Sequence, residues 1–341
     1  MNKQLKTLEI VFPKKKQAKL IEYTDPPLGK TQLRGRTLAT CISTGSEIAA
    51  YKGLSVQKEF PMHLNNAGCV FEVEETGKDV TSFKKGEHVF CFEGGHRSSQ
   101  QIDVKDTIKV PENLSPKKAV LARLMGIPMT TLMTTKSRPG DLVVVCGVGP
   151  VGFLAAHLFH ISGYDVAVVE PNSLRRKQIE ESGISKTFKN IPVKDPHFLG
   201  KVALVIDCSG DEKSILDGCQ VVRKLGEVVL VGTPWERKSD IFAHEIIKNI
   251  FFNFVILRSG WEHEIPMQST GFPEDRFHYN NAPQTVFSGF AKALKWLSEE
   301  KIPLEGLVIN KYPYTPDELY KSISLNEIEE LFIVMDWTKF N

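Results

Sequence analysis

The sequence lacks several features that would place the chain in a specialised class of proteins. Its 341 residues carry a formal net charge of only +2, so no excess of one sign indicates a nucleic-acid partner. It has no apolar run long enough to span a bilayer, and its first residues lack the apolar core of a signal peptide. We therefore expect a cytoplasmic chain without a nucleic-acid or membrane partner.

The cysteines lack the spacing of a metal or disulfide framework. There are six, and no two of them form a C-x-x-C pair. Several lie in apolar, strand-like segments, as Cys146 and Cys208 do. Isolated cysteines of this kind favour reduced core residues over disulfides. The chain also lacks an internal repeat, while its length is sufficient for two domains.

A glycine turn after a short apolar run is the strongest motif that is present. Residues 142–146 are continuously apolar, as expected for a strand buried on both faces. The G-x-G-x-x-G pattern that follows allows a tight turn, close approach of a pyrophosphate and close packing of helix on strand. The helix N-terminus then faces the phosphates. The residues that this motif assigns to a dinucleotide are Gly147, Gly149, Pro150, Val151 and Gly152.

An acidic residue ends the next predicted strand. Glu170 follows the glycines at close to the spacing of roughly 20 residues that is typical of a carboxylate bound to ribose hydroxyls. Because a carboxylate repels a 2′-phosphate, NAD is favoured over NADP. Arg175 and Arg176 leave NADP open, since an arginine here can contact the ribose or a 2′-phosphate, or simply lie on a solvated helix face. Glu170 can equally be a strand-end acid that caps the helix after Pro171.

Strands and helices alternate from Gly140 onward, which predicts a doubly wound parallel sheet of the Rossmann type. The last of its predicted strands covers residues 251–257. Ligands bind at the carboxyl edge of such a sheet. Four further residues at that edge are therefore assigned to the cofactor: Ser209, Gly210, Gly232 and Thr233.

The segments outside the Rossmann domain are β-rich. Short strands separated by turn residues predict a partly open barrel in the first part of the chain. The tail is best explained as returning to complete that domain. The predicted fold class is therefore α/β, with a Rossmann domain over 119–260 and a second domain formed by 1–118 and 261–341.

Five segments together resemble the medium-chain dehydrogenase/reductase superfamily, in its zinc-alcohol-dehydrogenase-like branch. The segments are 44–53, 60–68, 86–89, 147–152 and 307–313. The resemblance implies a GroES-like catalytic domain, a central coenzyme domain and a cleft between them. It also implies a homodimer or homotetramer joined through the coenzyme domains. The runs Glu227–Leu230 and Phe251–Leu257 are candidates for that contact.

The zinc ligands of that branch are missing. Thr44 stands where its zinc-dependent members have a ligand cysteine, and Leu64 where they have a histidine. In the region that should carry the four-cysteine lobe of a structural zinc site, Cys91 is the only cysteine. Catalytic zinc requires three protein ligands. We therefore expect no zinc, although a displaced site with His63, Cys41 or His96 stays open.

Without zinc, another group must stabilise the alkoxide that hydride transfer creates. Ser46 matches the hydroxyl that relays the proton in the family, and Tyr51 and His96 are further candidates for the acid. Ser46 is equally an ordinary turn residue, the ring of Tyr51 is more often a packing group, and His96 is equally a structural histidine. The residues assigned to the substrate are His63, Asn65 and Arg97.

These features favour a zinc-independent, NAD(H)-dependent oxidoreductase that acts on a hydroxyl or carbonyl of a small polar substrate, such as a sugar, cyclitol or similar secondary alcohol. An NADPH-dependent reductase of quinones or activated alkenes is the alternative enzyme. A non-catalytic dinucleotide-binding sensor is an alternative of another class, since fold does not entail function.

Overall fold

The computed structural model describes residues 7–56, 59–65, 68–269 and 284–339. The chain divides into a central unit, Leu124–Ala293 with Lys301–Pro303, and a split unit, which contains the remaining segments Met1–Arg123, Leu294–Glu300 and Leu304–Asn341. None of the described helices combines the length and the apolar character needed to cross a membrane.

The elements before the central unit are mostly strands. The strands are β1 Thr7–Lys14, β2 Gln17–Tyr23, β3 Gln32–Cys41, β4 Met62–His63, β5 Cys69–Thr76, β6 His88–Cys91, β7 Ser99–Asp103 and β8 Thr107–Lys109. The helices of this part are α1 Ser46–Lys52 and α2 Pro116–Ala119.

Strands and helices alternate in the central unit. Its strands are β9 Leu142–Cys146, β10 Asp165–Val169, β11 Thr187–Phe188, β12 Val202–Asp207, β13 Val222–Leu230 and β14 Ile256–Ser259. The helices from here to the end of the chain are α3 Ala122–Thr134, α4 Pro150–Ile161, α5 Ser173–Glu181, α6 Glu212–Val221, α7 Ala243–Asn253, α8 Val286–Ser298 and α9 Pro316–Ser324. Two strands, β15 Val308–Lys311 and β16 Phe332–Asp336, complete the set.

The central sheet confirms the predicted doubly wound fold. Its six strands are parallel and lie in the order β11-β10-β9-β12-β13-β14. This order reverses beside β9, which creates the switch point where ligands bind in open α/β sheets. Val143, Val144 and Val145 of β9 are completely buried because helices cover both faces of the sheet.

The predicted strand over 251–257 is wrong in its first half. Helix α7 continues to Asn253, and the strand begins only at Ile256. Ile246 and Ile250 pack against the core at a spacing of four residues, which is the helical period. Phe254 then ends the helix in a left-handed conformation, with φ of 54°.

Two further differences concern α3 and the domain boundary. A proline usually interrupts a helical pattern, but Pro128 lies inside the continuous helix α3. The central unit extends to Ala293, well beyond the division drawn at 260. Phe290 explains this, since its ring lies so close to Gly126 that an added Cβ there would be 2.2 Å from it.

The split unit contains two sheets. Strands β2, β1 and β4 form the smaller sheet, and β15-β16-β3-β5-β6-β8 form the larger one, with β7 also paired to β3. The tail joins the larger sheet through β16, where Val334 pairs with Cys41. The buried aromatic rings of Phe12, Tyr320 and Trp337 form much of the core.

Candidate functional site

The glycine turn joins β9 to α4 in the central unit. Gly147 has φ of +88°, a conformation that side chains with a Cβ rarely adopt. A Cβ at Gly152 would lie 1.8 Å from the carbonyl oxygen of Gly147, so this position requires glycine. Gly149 is the N-cap of α4 and has nothing within 4 Å of an added Cβ. Its open side leaves room for a ligand.

Glu170 closes the turn from the neighbouring strand. It follows β10 and is only 6% exposed. One carboxylate oxygen accepts the backbone N–H of Val148 at 2.7 Å, and the other accepts that of Asn172 at 2.8 Å. The carboxylate therefore fixes the position of the glycine turn relative to the end of β10.

The two arginines after Glu170 have different environments, which the sequence could not distinguish. Arg176 donates to the carbonyls of Glu170 and Pro171, at 2.6 and 2.8 Å. Arg175 instead lines a pocket beside the glycine turn. Of the two, Arg175 is therefore the one placed to contact a ligand.

An open pocket of about 350 Å³ lies beside the glycine turn. Five residues that the sequence assigned to the cofactor line it: Gly147, Gly149, Glu170, Arg175 and Ser209. The sequence missed seven polar lining residues: Lys189, Asn190, Asp211, Lys213, Ser214, Asp217 and Lys238. Lys189 and Asn190 follow the two-residue strand β11, which was too short to be recognised.

The other predicted cofactor residues lie close to this turn. Pro150, Val151 and Gly152 form the first turn of α4. Gly232 and Gly210 are in close contact, since a Cβ at Gly232 would lie 2.5 Å from the nitrogen of Gly210. A Cβ at Gly210 would lie 2.9 Å from the carbonyl oxygen of Thr233. The ends of β12 and β13 therefore leave space only for glycine.

Asp207, at the end of β12, is a buried acid that the sequence analysis missed. Its carboxylate accepts the N–H of Gly210 at 3.0 Å, and the N–H and hydroxyl of Ser209 at 3.1 and 2.5 Å. Burial raises the pKa of Asp207, and these hydrogen bonds oppose that shift. Asp207 holds the loop that contributes Ser209 to the pocket.

Ser46 begins α1 in the split unit and is exposed. Its hydroxyl donates to the hydroxyl of Ser43 at 2.7 Å. The N–H of Ser43 in turn donates to the carboxylate of Glu47 at 2.7 Å. Ser46 is thus exposed and hydrogen-bonded to a serine whose backbone is held by a buried acid.

Glu47 belongs to a buried polar network that holds His96. Its Oε2 accepts the hydroxyl of Tyr320 at 2.6 Å and lies 3.0 Å from Nε2 of His96. Nδ1 lies 2.7 Å from the hydroxyl of Thr40, which already accepts the indole N–H of Trp337 at 2.9 Å. Both ring nitrogens of His96 are therefore engaged in hydrogen bonds within the buried network.

This geometry bears directly on two catalytic candidates. His96 is 0% exposed and both of its ring nitrogens are engaged, which favours the structural role that the sequence left open. Tyr51 is 3% exposed, and its ring stacks on Tyr320 with centroids 5.8 Å apart. The same contact favours a packing role for Tyr51. Ser46 is the exposed candidate of the three.

The three predicted substrate residues meet around Glu9, a buried acid of β1. His63 Nδ1 lies 3.0 Å from Glu9 Oε1, and Arg97 donates to the same oxygen from two nitrogens, at 2.9 and 3.1 Å. Arg97 also donates to the side-chain oxygen of Asn65 at 2.9 Å. His63 remains about half exposed, at 46%. The cluster presents hydrogen-bonding groups whose charges largely cancel.

The donors of the split unit do not fit a catalytic zinc ion. Among the residues that the structure describes, no three His, Cys, Asp or Glu side chains are grouped as metal ligands. Cys41 is 1% exposed, and burial raises the pKa of its thiol, which disfavours the thiolate that zinc binds. Thr44 and Leu64 offer no zinc-binding group comparable to cysteine or histidine.

Comparison with known proteins places this geometry in context. Residues 150–266 match the family model described as zinc-binding dehydrogenase. The L-galactonate-5-dehydrogenase of Escherichia coli is 23% identical, over 93% of this chain and 94% of that protein. The sorbitol dehydrogenase of Halalkalibacterium halodurans is 24% identical, over 90% of this chain and 92% of that protein.

Solved structures agree with the fold. The galactitol-1-phosphate dehydrogenase of Escherichia coli superposes with a TM-score of 0.79, at 13% identity, over 96% of this chain and 99% of that chain. The likeness extends over nearly the whole of both chains, so it includes the barrel-like part as well as the Rossmann part.

Proposed function

Because the chain belongs to the medium-chain dehydrogenase/reductase superfamily, we propose that it is an NAD(H)-dependent oxidoreductase acting on the hydroxyl or carbonyl of a small polar substrate without catalytic zinc. The observation that carries this proposal is the glycine turn of the central unit. There Gly152 has no room for a Cβ, and the Glu170 carboxylate lies at the adjoining strand end. Both features suit a dinucleotide.

The residues of the central unit fit the adenosine half of such a cofactor. Each Glu170 oxygen uses one lone pair on a backbone N–H and keeps another for a ribose hydroxyl. A 2′-phosphate would meet this negative charge, which supports NAD over NADP. The N-terminus of α4 and the open side of Gly149 accommodate the diphosphate.

A nicotinamide cofactor would supply or accept the hydride, and residues of this chain would transfer the accompanying proton. Ser46 is the proposed proton carrier, because its hydroxyl is exposed and already hydrogen-bonded to Ser43. The buried Glu47 carboxylate holds the backbone of Ser43 in place. Since Thr44, Leu64 and Cys41 do not fit zinc, the proposed proton transfer uses no metal ion.

The proposed substrate is a neutral polyol or a similar secondary alcohol. His63, Asn65 and Arg97 offer several hydrogen bonds, while Glu9 balances the charge of Arg97. Such a group of donors and acceptors suits hydroxyls better than it suits a strongly anionic substrate. The name of the sorbitol dehydrogenase to which the chain is similar supports a substrate rich in hydroxyls.

We also propose that the chain associates with a second copy through the central unit. Strand β14 is the last strand of the sheet, so one of its edges has no neighbour among the described strands. The adjacent helix α7 exposes Ile247, Phe251 and Phe252 at 60%, 72% and 67%. An apolar face beside an open strand edge is typical of a protein interface.

The test uses one purified sample for metal content, binding of NADH and NADPH, and turnover on a panel of polyols and ketones. We expect tighter binding of NADH, less than stoichiometric zinc and turnover of at least one polyol. One zinc per chain would overturn the zinc-free mechanism. Preference for NADPH with turnover of quinones would favour the alternative reductase, and binding without any turnover would favour the sensor.

A further inference from the structure

The pocket beside the glycine turn contains more positive charge than the sequence motif explains. Its lining includes four cations, Arg175, Lys189, Lys213 and Lys238, against three acids, Glu170, Asp211 and Asp217. Lys213 is paired with the carboxylate of Asp217, four residues later on α6. Within the described part of the chain, the other three cations form no ion pair with a carboxylate. The unpaired cations of the pocket therefore favour an anionic ligand.

Lys238 differs from the other two because its loop is fixed in place. It lies between β13 and α7, on a segment bound to the start of α6. Glu212 accepts the backbone N–H groups of Lys238 and Ser239, at 3.1 and 2.9 Å. The hydroxyl of Ser239 donates to Asp211 at 2.6 Å. Three hydrogen bonds therefore hold the backbone from which the Lys238 side chain extends.

The ammonium group of Lys238 donates to the carbonyl oxygen of Ser209 at 2.5 Å. This places it at the pocket wall formed by the end of β12. A neutral carbonyl satisfies one of its three N–H donors. Asp207 lies near enough to interact electrostatically with the ammonium, but no carboxylate forms an ion pair with it among the described residues. An ammonium with spare donors in a pocket suits a phosphate group of the ligand.

We infer that Lys238 is a phosphate-binding residue of the coenzyme pocket, additional to the glycine turn. This inference rests on the proposed binding of a dinucleotide and adds a residue that no motif assigned. The phosphate that Lys238 contacts belongs either to the diphosphate or to a 2′-phosphate on the ribose. These two sources share their chemistry, so the experiment has to separate them.

The test measures the affinity of the full chain for adenosine, AMP, ADP and adenosine 2′,5′-bisphosphate by calorimetry. The variants are Lys238→Met and, as a matched control, Arg237→Met. Arg237 is a neighbouring exposed cation that pairs with Asp240 and does not line the pocket. The Lys238→Met variant should bind the phosphorylated ligand about tenfold more weakly, as expected for a lost charged hydrogen bond.

The ligand series assigns the contact. If Lys238→Met weakens the binding of ADP more than that of AMP, Lys238 contacts the diphosphate. If the substitution weakens only the binding of the 2′,5′-bisphosphate, Lys238 contacts the 2′-phosphate. Both results support the inference, provided that adenosine binds equally to the wild type and to Lys238→Met. Equal affinities of the wild type and Lys238→Met for every phosphorylated ligand would overturn it, as would a loss shared by adenosine.

Binding also separates this inference from the proposed activity. If the wild type binds ADP through Lys238 but turns over no alcohol or ketone, the oxidoreductase proposal fails while the phosphate contact stands. If the wild type binds none of the adenine ligands, both are overturned. Added salt should reduce the difference in ligand affinity between Lys238→Met and Arg237→Met, because screening weakens the contribution of an exposed ammonium.

Discussion

Replacing Gly152 with alanine should destabilise the fold, whereas the same change at Gly149 should leave the fold intact. The new Cβ at position 152 would lie 1.8 Å from the carbonyl oxygen of Gly147, and that oxygen belongs to the backbone. Relief of this overlap requires α4 to move away from β9. Overpacking of this kind costs about 2–3 kcal/mol, which corresponds to a melting temperature roughly 5–10 °C lower.

Gly149→Ala is the matched control, because the added Cβ has nothing within 4 Å and the φ of this residue is −77°. Its stability should change by less than about 1 kcal/mol. Its affinity for the dinucleotide should nevertheless fall at least tenfold, because the methyl group occupies the space proposed for the diphosphate. The two substitutions would thus separate the packing role of one glycine from the ligand role of the other.

Urea denaturation and calorimetric titration with NADH measure the two effects independently. A Gly152→Ala variant as stable as the wild type would refute the argument that this glycine is required by helix packing. Unchanged NADH affinity in Gly149→Ala would refute the proposed position of the diphosphate. Loss of stability in both variants would show that the turn tolerates no side chain at either position.

Four further predictions address other parts of the molecule. Glu47→Gln should cost about 1–3 kcal/mol in urea denaturation, because an amide cannot accept all three donors that the carboxylate accepts. Glu170→Ser should reduce the preference for NADH over NADPH and weaken the binding of both. Burial lowers the pKa of His157 from 6.5 to about 4, so stability should fall as the pH drops between these values, and His157→Gln should flatten that dependence. Phe251→Ser should shift the chain toward the monomer in light scattering.

Each of these outcomes has a contrary result. A Glu47→Gln variant of wild-type stability would show that the network tolerates a donor facing the N–H of Ser43. An unchanged preference between NADH and NADPH in Glu170→Ser would show that the carboxylate does not bind the ribose hydroxyls. Between pH 6.5 and about 4, His157 is protonated in the unfolded chain but not in the folded chain. A stability that does not change with pH in this range would therefore contradict the burial of His157. A monomeric wild type would remove the basis of the Phe251 prediction.

The Rossmann sheet could be predicted because its strands are buried on both faces. A run such as residues 142–146 is then continuously apolar, and it stands out between glycines and amphipathic helices. The same signal misled at residues 251–257, where Phe251 and Phe252 extend an apolar run across a helix end. Their exposure shows that an apolar run can be a surface feature, which local pattern alone does not reveal.

The networks around the site could not be predicted, because they join residues that are distant in the sequence. Glu47 meets Tyr320 across 273 positions, and Glu9 meets Arg97 across 88. One local signal was available for Glu47. It is followed at once by Ile48, Ala49 and Ala50, which predict that this face of the helix packs against the core, and a buried acid there requires hydrogen-bond partners.

Glu170 has a consequence for how the cofactor preference of this chain can evolve. The carboxylate proposed to select the ribose also fastens the glycine turn to the neighbouring strand through two backbone N–H groups. A single substitution that admits a 2′-phosphate would therefore also release the turn. A lineage that exchanged one cofactor for the other would therefore also have to replace the hydrogen bonds to Val148 and Asn172, which couples the proposed preference to the stability of the turn.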